Sequence, residues 1–347
     1  MGEAAVRVIF IGGVGRSGST VVERILNELP GVCGLGEVAQ VWQNGVRDNR
    51  LCGCGAAFHD CAVWREIGQR AFGGWHSVDL DRIRLLRDCV GRTRHVPRLA
   101  RRQLNPTVRA RVTEYVDFYT RIYSAAAAVT GAHTVVDSSK HVGQAFCLRW
   151  ASDLDLRVLH LVRDPRGVAH SWTKQVHDPE SGGPVQVPRY PVTRCALSWN
   201  TNNAAFDLLA RLSPQVGRPG AGQRAHPVHR MRYEEFLADP AGAVTALAGF
   251  AGLDVTGAEL SYLDGCRAHL GTVHAVSGNR MRFTQGAVTL RVDDAWHTAL
   301  APTRRRLVGA LCAPLLLAYG CPRQFPAANP AAPPAADCRV RSGGQRR

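Results

Sequence analysis

We predict an α/β fold for this chain, with a central parallel sheet flanked by helices in three layers. Short runs of β-branched and aromatic residues alternate with stretches of helical periodicity, which is typical of parallel strands joined by crossover helices. The first of these runs leads directly into a glycine-rich turn and then a helix. The chain has 347 residues, of which 45% are hydrophobic and 20% charged. It is therefore long enough to bury a large core and too apolar to be disordered throughout.

The elements follow one another in a βα order. The first strand ends at the glycine-rich turn, and the helix after it has apolar residues at helical spacing. Asp164 and Pro165 predict the N-cap and first position of a helix after a later strand. The predicted strands cover residues 6–11, 135–136, 157–162 and 229–232, and the main predicted helices cover 21–29, 107–130, 193–212, 240–251 and 302–319.

The domain prediction is one α/β domain over residues 1–322, followed by a disordered basic tail at 323–347. Residues 75–132 are predicted to be a basic, helical insertion. Within them, 82–111 hold ten arginines and one acidic residue, Asp88. This segment would flank the acceptor side of a site and could recruit an acidic acceptor, although a solvated surface explains the charge equally well.

The whole chain is basic, with 43 Lys and Arg against 28 Asp and Glu and a net charge of +15. Only Lys140 and Lys174 are lysines, so part of this charge reflects a general preference for arginine. The excess indicates either a solvated surface or an anionic ligand. No signal peptide, lipidation motif or bilayer-spanning run is recognisable, which predicts a cytoplasmic protein with reduced thiols and no transmembrane segment.

The glycine-rich turn has the properties of an anion site. It follows a strand and opens a helix, where free backbone N–H groups and the helix dipole attract phosphate. Gly13 and Gly18 have the spacing of the nucleotide P-loop G-x-x-x-x-G-K-[ST], which predicts a P-loop-like fold. However, Ser19 stands at the lysine position, and the basic residue is Arg16 inside the loop. A plain tight turn is the structural alternative.

This loop resembles the 5′-phosphosulfate loop of sulfotransferases that use 3′-phosphoadenosine-5′-phosphosulfate (PAPS). In that family a basic residue stands two positions before the last loop glycine, as Arg16 does here. The resemblance implies that Arg16 contacts the bridging and sulfate oxygens. It also implies that the rest of the loop holds the 5′-phosphate, through Gly15, Ser17, Gly18, Ser19 and Thr20.

A second motif matches the 3′-phosphate motif of the same family. Arg163 ends a strand at the start of a helix, and Ser171 lies eight residues further on. An arginine offers a fork of donors to a dianionic phosphate, and the serine adds a hydroxyl. A surface Arg–Asp pair at a helix start is the alternative for this motif alone. The product that both motifs would bind is 3′,5′-ADP.

The resemblance runs from about residue 6 to residue 300 and is weakest between 75 and 132. Tyr233 resembles the family's adenine-contacting tyrosine, although a core aromatic is an alternative. The segment 274–283 resembles one that folds back over the nucleotide. It offers further candidate phosphate contacts, namely Ser277, Asn279, Arg280 and Arg282.

The catalytic residues follow from the resemblance. Glu37 lies in a Gly-Glu segment, as the base of tyrosylprotein sulfotransferases does. Small-molecule sulfotransferases use a histidine, which would favour His141; Asp137 and His170 are further candidates. We predict Glu37 as the base, with Lys140 and Arg16 stabilising charge on the leaving phosphate.

Two points stay open at this stage. Cys52, Cys54 and Cys61, with His59, resemble metal-ligand spacing, but buried thiols or a local disulfide are favoured, so no metal is assigned and none is expected to be required. The acceptor is a small molecule, a glycan or a peptide, and no motif indicates specific nucleic-acid binding. The alternatives to a sulfotransferase are a P-loop kinase-like phosphotransferase and a non-catalytic nucleotide-binding relative.

Overall fold

The computed structural model describes residues 5–174, 189–213 and 226–321. Five parallel strands in these residues form a sheet of order β2–β3–β1–β4–β5. A second, antiparallel sheet has the order β6–β7–β8. The strands are β1 Val6–Gly13, β2 Val32–Gly34, β3 Thr134–Lys140, β4 Leu154–Val162, β5 Val228–Arg232, β6 Leu263–Asp264, β7 Arg267–Leu270 and β8 Gly286–Thr289.

Helices connect these strands and cover both faces of the larger sheet. They are α1 Ser19–Leu26, α2 Ala62–Phe72, α3 Leu80–Leu86, α4 Val96–Leu99, α5 Pro106–Thr130, α6 Val142–Leu148, α7 Pro165–Thr173, α8 Val192–Leu212, α9 Tyr233–Ala238, α10 Pro240–Ala251, α11 Trp296–Ala299, α12 Pro302–Leu311 and α13 Ala313–Ala318. None of the described helices is long and apolar enough to cross a membrane.

The central strand β1 shows why the fold has three layers. Successive side chains of a strand point to opposite faces of a sheet. Val8 and Phe10 belong to one core with α2, α5 and α6, whereas Ile9 and Ile11 belong to another with α1, α9 and α10. Both faces of β1 are therefore covered by helices, as expected for a parallel sheet. A third cluster joins α7 and α8 to α12 and α13.

The α/β fold predicted from the sequence is confirmed, with differences at particular elements. The four predicted strands are present, but β2 was not predicted because its three residues are too few to show a period. The helix predicted over 302–319 is two helices, α12 and α13, with a break at Cys312 beside Pro314. This break follows from the missing N–H of proline.

The segment 75–132 follows α2 and contains α3, α4 and α5. The long helix α5 packs in the same core as β1 and β3. It buries Val112, Val116 and Ile122, together with three tyrosines. The predicted tail at 323–347 lies outside the described residues, and the domain limits stay a prediction.

Candidate active site

The carboxyl ends of the parallel strands meet at one edge of the sheet and open onto one cavity. The glycine loop follows β1, Lys140 ends β3, Arg163 follows β4 and Tyr233 follows β5. The cavity has a volume of about 910 Å³. Ligands of open α/β sheets bind at this edge, outside the carboxyl ends of the strands.

Almost all residues predicted for the site line this cavity. They are Gly15, Arg16, Gly18, Ser19, Thr20, Glu37, Lys140, Arg163, Ser171, Tyr233, Ser277, Asn279, Arg280 and Arg282. Ser17 is the exception among the described residues. Its side chain is buried beneath the loop, and its hydroxyl has no hydrogen-bond partner in the part of the chain that the structure describes.

The glycine loop adopts a compact turn that needs its glycines. Gly18 has φ 92°, and a Cβ there would lie 2.2 Å from the ring of Tyr233. The Trp172 indole donates to the Gly15 carbonyl oxygen at 3.3 Å, and the guanidinium of Arg16 lies 4.9 Å from the Trp172 ring centroid. Ser19 and Thr20 open α1, so their amides have no acceptor within the helix. The loop thus presents backbone donors next to a cation.

Arg163 links the loop to the residues that follow β4. Its Nη1 donates to the Arg16 carbonyl oxygen at 3.0 Å, and its Nη2 donates to the Asp293 carbonyl oxygen at 3.3 Å. The guanidinium also lies 3.5 Å from the Asp293 carboxylate and 5.4 Å from the Tyr233 ring centroid. The side chain is 9% exposed, so its position is held by these contacts.

A C-terminal segment also lines the cavity and contacts the start of α1. The backbone N–H of Asn279 donates to the Thr20 hydroxyl at 3.4 Å. The side-chain amide of Asn44 donates to Ser277 Oγ at 2.8 Å. Arg282 donates to the Gly278 carbonyl oxygen at 2.7 Å. The first two bonds join residues that lie 259 and 233 positions apart in the chain.

Glu37 and Lys140 form an ion pair in this cavity. Lys140 Nζ lies 2.5 Å from Glu37 Oε1 and donates to the Ser138 carbonyl oxygen at 2.9 Å. Burial lowers the pKa of Arg16, and the nearby Glu37 carboxylate opposes that shift. The three residues predicted to be catalytic are therefore in one place and electrostatically connected.

A buried carboxyl group, that of Glu23, contacts the backbone next to Glu37. Glu23 of α1 accepts from the Gly36 amide and from the Ser138 hydroxyl, the latter at 2.6 Å. Desolvation by burial raises the pKa of Glu23 to about 7, against the two hydrogen bonds. The sequence analysis missed Glu23, although an acidic residue among the apolar positions of α1 was a usable signal.

Asp137 occupies a second buried position and does not line the cavity. Its carboxylate accepts from the Tyr123 hydroxyl at 2.6 Å and from the Ser139 amide at 2.8 Å. Burial raises its pKa to about 6. Among the other base candidates, His141 lines the cavity, whereas His170 is buried outside its lining. Desolvation lowers the pKa of His141.

Backbone strain is concentrated at this cavity. Among the described residues, four that are not glycine have positive φ, and three of them line the cavity: Arg16 at 74°, Lys140 at 69° and Ser277 at 59°. Asn49 is the fourth. Such conformations cost on the order of 1–3 kcal/mol each and persist where the surroundings hold them, most often at functional sites.

The three cysteines singled out in the sequence cluster with His274 rather than with His59. Cys52, Cys54 and Cys61 surround His274. His59 instead places its Nε2 3.0 Å from the Val46 carbonyl oxygen, away from the thiols. Sequence spacing could not find His274, because it lies 213 residues from Cys61.

Comparisons with known proteins show the family to which the chain belongs. The family profile described as "Sulfotransferase domain" matches residues 7–269. No curated protein sequence matches the chain.

Several solved structures resemble the chain, among them three sulfotransferase structures. The sulfotransferase domain of the olefin synthase of Synechococcus PCC 7002 has 19% identity and a TM-score of 0.44, over 90% of this chain and 96% of that one. The sulfotransferase domain of the curacin biosynthetic pathway has 13% identity and a TM-score of 0.45, over 90% and 98%. Sulfotransferase STF1 of Mycobacterium tuberculosis H37Rv has 16% identity and a TM-score of 0.33, over 74% and 70%.

Proposed function

This chain belongs to the sulfotransferase domain family and is a PAPS-dependent sulfotransferase, and from that premise we propose which of its residues perform the transfer. The proposal is that Glu37 takes a proton from a hydroxyl or amine acceptor while Arg16 and Lys140 stabilise the leaving phosphate. The observation that supports it best is the Glu37–Lys140 ion pair, which lies in the same cavity as the glycine loop.

The residues around the cavity fit a nucleotide with two phosphate-bearing ends. The loop from Gly15 to Thr20 offers amides and hydroxyls for the 5′-phosphosulfate, next to Arg16. Arg163 and Ser171 offer a guanidinium and a hydroxyl for the 3′-phosphate. Tyr233 packs against Gly18 and would contact the adenine. Ser277, Asn279, Arg280 and Arg282 line the same cavity and offer further polar groups.

When bound, PAPS supplies an activated sulfuryl group. The acceptor becomes a nucleophile as its proton moves to a Glu37 carboxylate oxygen. Lys140 holds that carboxylate in place through its ammonium group. Arg16 and Lys140 also provide the positive charge that a leaving phosphate needs as its negative charge grows. The Glu23 carboxyl accepts a hydrogen bond from the Gly36 amide, and this contact holds the backbone that carries the base.

The rest of the cavity lining carries several polar side chains, which we propose receive the acceptor. Its side chains include Gln40, Asn44, Arg194, Ser198 and Asn202. Thr93, from the arginine-rich segment 82–111, lines the same cavity. We therefore propose a polar acceptor, which a small molecule, a glycan or a peptide could provide.

The observations weigh against the two alternatives. A P-loop kinase needs a lysine after the last loop glycine, and Ser19 stands there. A non-catalytic nucleotide-binding relative has no need of an acid–base pair, yet Glu37 and Lys140 are in contact within the cavity.

Nucleotide preference tests the proposal. We expect 3′,5′-ADP to bind about 10- to 100-fold more tightly than 5′-AMP, because charge-assisted hydrogen bonds contribute about 1.5–3 kcal/mol. Titration calorimetry of the full chain with 3′,5′-ADP, 5′-AMP and ATP measures this. Equal affinities for 3′,5′-ADP and 5′-AMP would contradict the assignment of a 3′-phosphate site, and preference for ATP would favour the kinase alternative.

A further inference from the structure

We propose that Cys52, Cys54, Cys61 and His274 bind one zinc ion in a closed structural site. The site would fasten the loop that carries the three cysteines to the segment that precedes residues 277–282 of the cavity wall. None of the four residues lines the cavity. The proposal therefore concerns a second site, separate from the sulfuryl transfer centre, and departs from the sequence-based expectation that no metal is needed.

Three distances between the ligand atoms are close to those expected for a tetrahedron around zinc. Zn–S bonds of about 2.3 Å and Zn–N bonds of about 2.0–2.1 Å place two sulfurs about 3.8 Å apart, and a sulfur and a nitrogen about 3.6 Å apart. Cys54 Sγ lies 3.8 Å from Cys61 Sγ. His274 Nδ1 lies 3.8 Å from Cys52 Sγ and 3.3 Å from Cys61 Sγ. All four ligand atoms lie within 4.8 Å of one another.

The chemistry of the donors indicates zinc and a structural role. Three thiols and one imidazole form one of the usual ligand sets of structural zinc, and four protein ligands leave no position for substrate. Cys52 and Cys61 are buried, and Cys54 and His274 are partly buried. The Trp64 indole donates to the His274 carbonyl oxygen at 2.9 Å, which holds that ligand's backbone.

A disulfide is the competing explanation of these thiols. It needs sulfurs about 2.05 Å apart, whereas Cys54 and Cys61 are 3.8 Å apart. A disulfide between any two of the three cysteines would also leave one thiol beside His274 without a role. One metal ion accounts for all four residues.

The position of the cluster explains what the metal would do. The Gly53 amide donates to the Ala275 carbonyl oxygen at 2.9 Å, and the Glu37 amide donates to the Val276 carbonyl oxygen at 2.9 Å. The segment around Val276 is therefore held between the cysteine loop and the backbone of the proposed base. A metal would cross-link these parts of the chain, which lie more than 200 residues apart, and so stabilise the folded state.

Metal content of the full-length protein tests the site directly. We expect about one zinc per chain by elemental mass spectrometry after dialysis against zinc and removal of loose metal. Cobalt(II) exchanged into the site should give a thiolate-to-cobalt charge-transfer band and tetrahedral visible bands. Chelation should lower the thermal midpoint, and added zinc should restore it. Absence of stoichiometric metal, an octahedral cobalt spectrum, or a disulfide found by mass spectrometry would overturn the proposal.

Matched variants assign the ligands. We expect Cys54→Ser and His274→Ala to lose zinc, whereas His274→Cys should keep it because four thiolates also bind zinc tetrahedrally. Two controls outside the cluster, His59→Ala and Cys266→Ser, should keep about one zinc per chain. If His274→Ala does not fold, His274→Cys still decides: a folded His274→Cys protein without zinc would count against the site. Loss of zinc from His59→Ala would assign a different ligand set.

Discussion

The nucleotide side and the catalytic side of the cavity are built in different ways. On the nucleotide side, the main groups belong to short motifs at the ends of single strands, such as the glycine loop after β1 and Arg163 after β4. On the catalytic side, Glu37 and Lys140 come from positions 103 residues apart. A buried network that includes Glu23 and Ser138 lies behind them.

The two sides also differ in the groups that position their charged side chains. Arg163 is positioned mainly by backbone carbonyl oxygens, which do not titrate. Glu37 directly follows Gly36, whose amide donates to the Glu23 carboxyl. Burial raises the pKa of that carboxyl to about 7. We therefore expect turnover and stability to depend on pH and on isosteric substitution at the catalytic side. Nucleotide affinity should depend mainly on the individual hydrogen-bond donors of the nucleotide side.

The largest effect is expected at the proposed base. Glu37→Gln should lower turnover by roughly 10²–10⁴-fold, the usual contribution of general base catalysis, because glutamine cannot accept the proton. Binding of 3′,5′-ADP should change little. Single-turnover sulfuryl transfer at saturating PAPS measures the first quantity, with calorimetry for the second. His141→Ala is the matched variant and should cost much less; an active Glu37→Gln enzyme beside an inactive His141→Ala enzyme would reverse the assignment.

The buried carboxyl behind the base should make stability depend on pH. The pKa of Glu23 is raised from 4.5 to about 7 in the folded state, so its contribution is complete below pH 4.5 and is lost as pH rises toward 7. The loss amounts to about 3 kcal/mol. Glu23→Gln should remove this part of the pH dependence. Urea unfolding of both proteins from pH 5 to pH 8 measures it, and parallel curves would show that Glu23 is not the source.

A smaller effect is expected on the nucleotide side. Arg163→Ala should weaken 3′,5′-ADP binding by about 1.5–3 kcal/mol, as for loss of a charge-assisted hydrogen bond. The 3′,5′-ADP affinity of Arg163→Lys should lie between those of the wild-type protein and Arg163→Ala, because lysine keeps the charge but loses the fork of donors. The affinity for 5′-AMP should be nearly unchanged in both variants. A parallel loss for both nucleotides would place Arg163 in the support of the loop instead.

The smallest effect is expected at Ser171. Ser171→Ala removes one neutral donor and should cost about 0.5–1.5 kcal/mol in 3′,5′-ADP affinity. Ser198→Ala, on the acceptor wall of the same cavity, is the control and should leave nucleotide affinity unchanged. Calorimetry at constant salt measures both. If Ser198→Ala had the larger effect, the division of the cavity into nucleotide and acceptor sides would be wrong.

The sequence determined the features that are local in the chain. Strand, glycine loop and helix are adjacent, so the anion site after β1 could be predicted, and the same holds for Arg163 and Ser171 around Asp164. Besides Ser17, all fourteen positions named for catalysis or nucleotide binding lie outside the segment 75–132, where motifs are weakest. Their roles stay predictions, but the structure brings them to one cavity.

Only the tertiary structure decided the features that depend on distant parts of the chain. The pairing of Glu37 with Lys140, the carboxyl of Glu23 behind them, and the meeting of His274 with the three cysteines each join elements more than 100 residues apart or buried under another layer. Sequence periodicity reports which face of an element is apolar, but not which element covers it. Packing of the layers fixes those neighbours, and with them the charges and ligand distances of both sites.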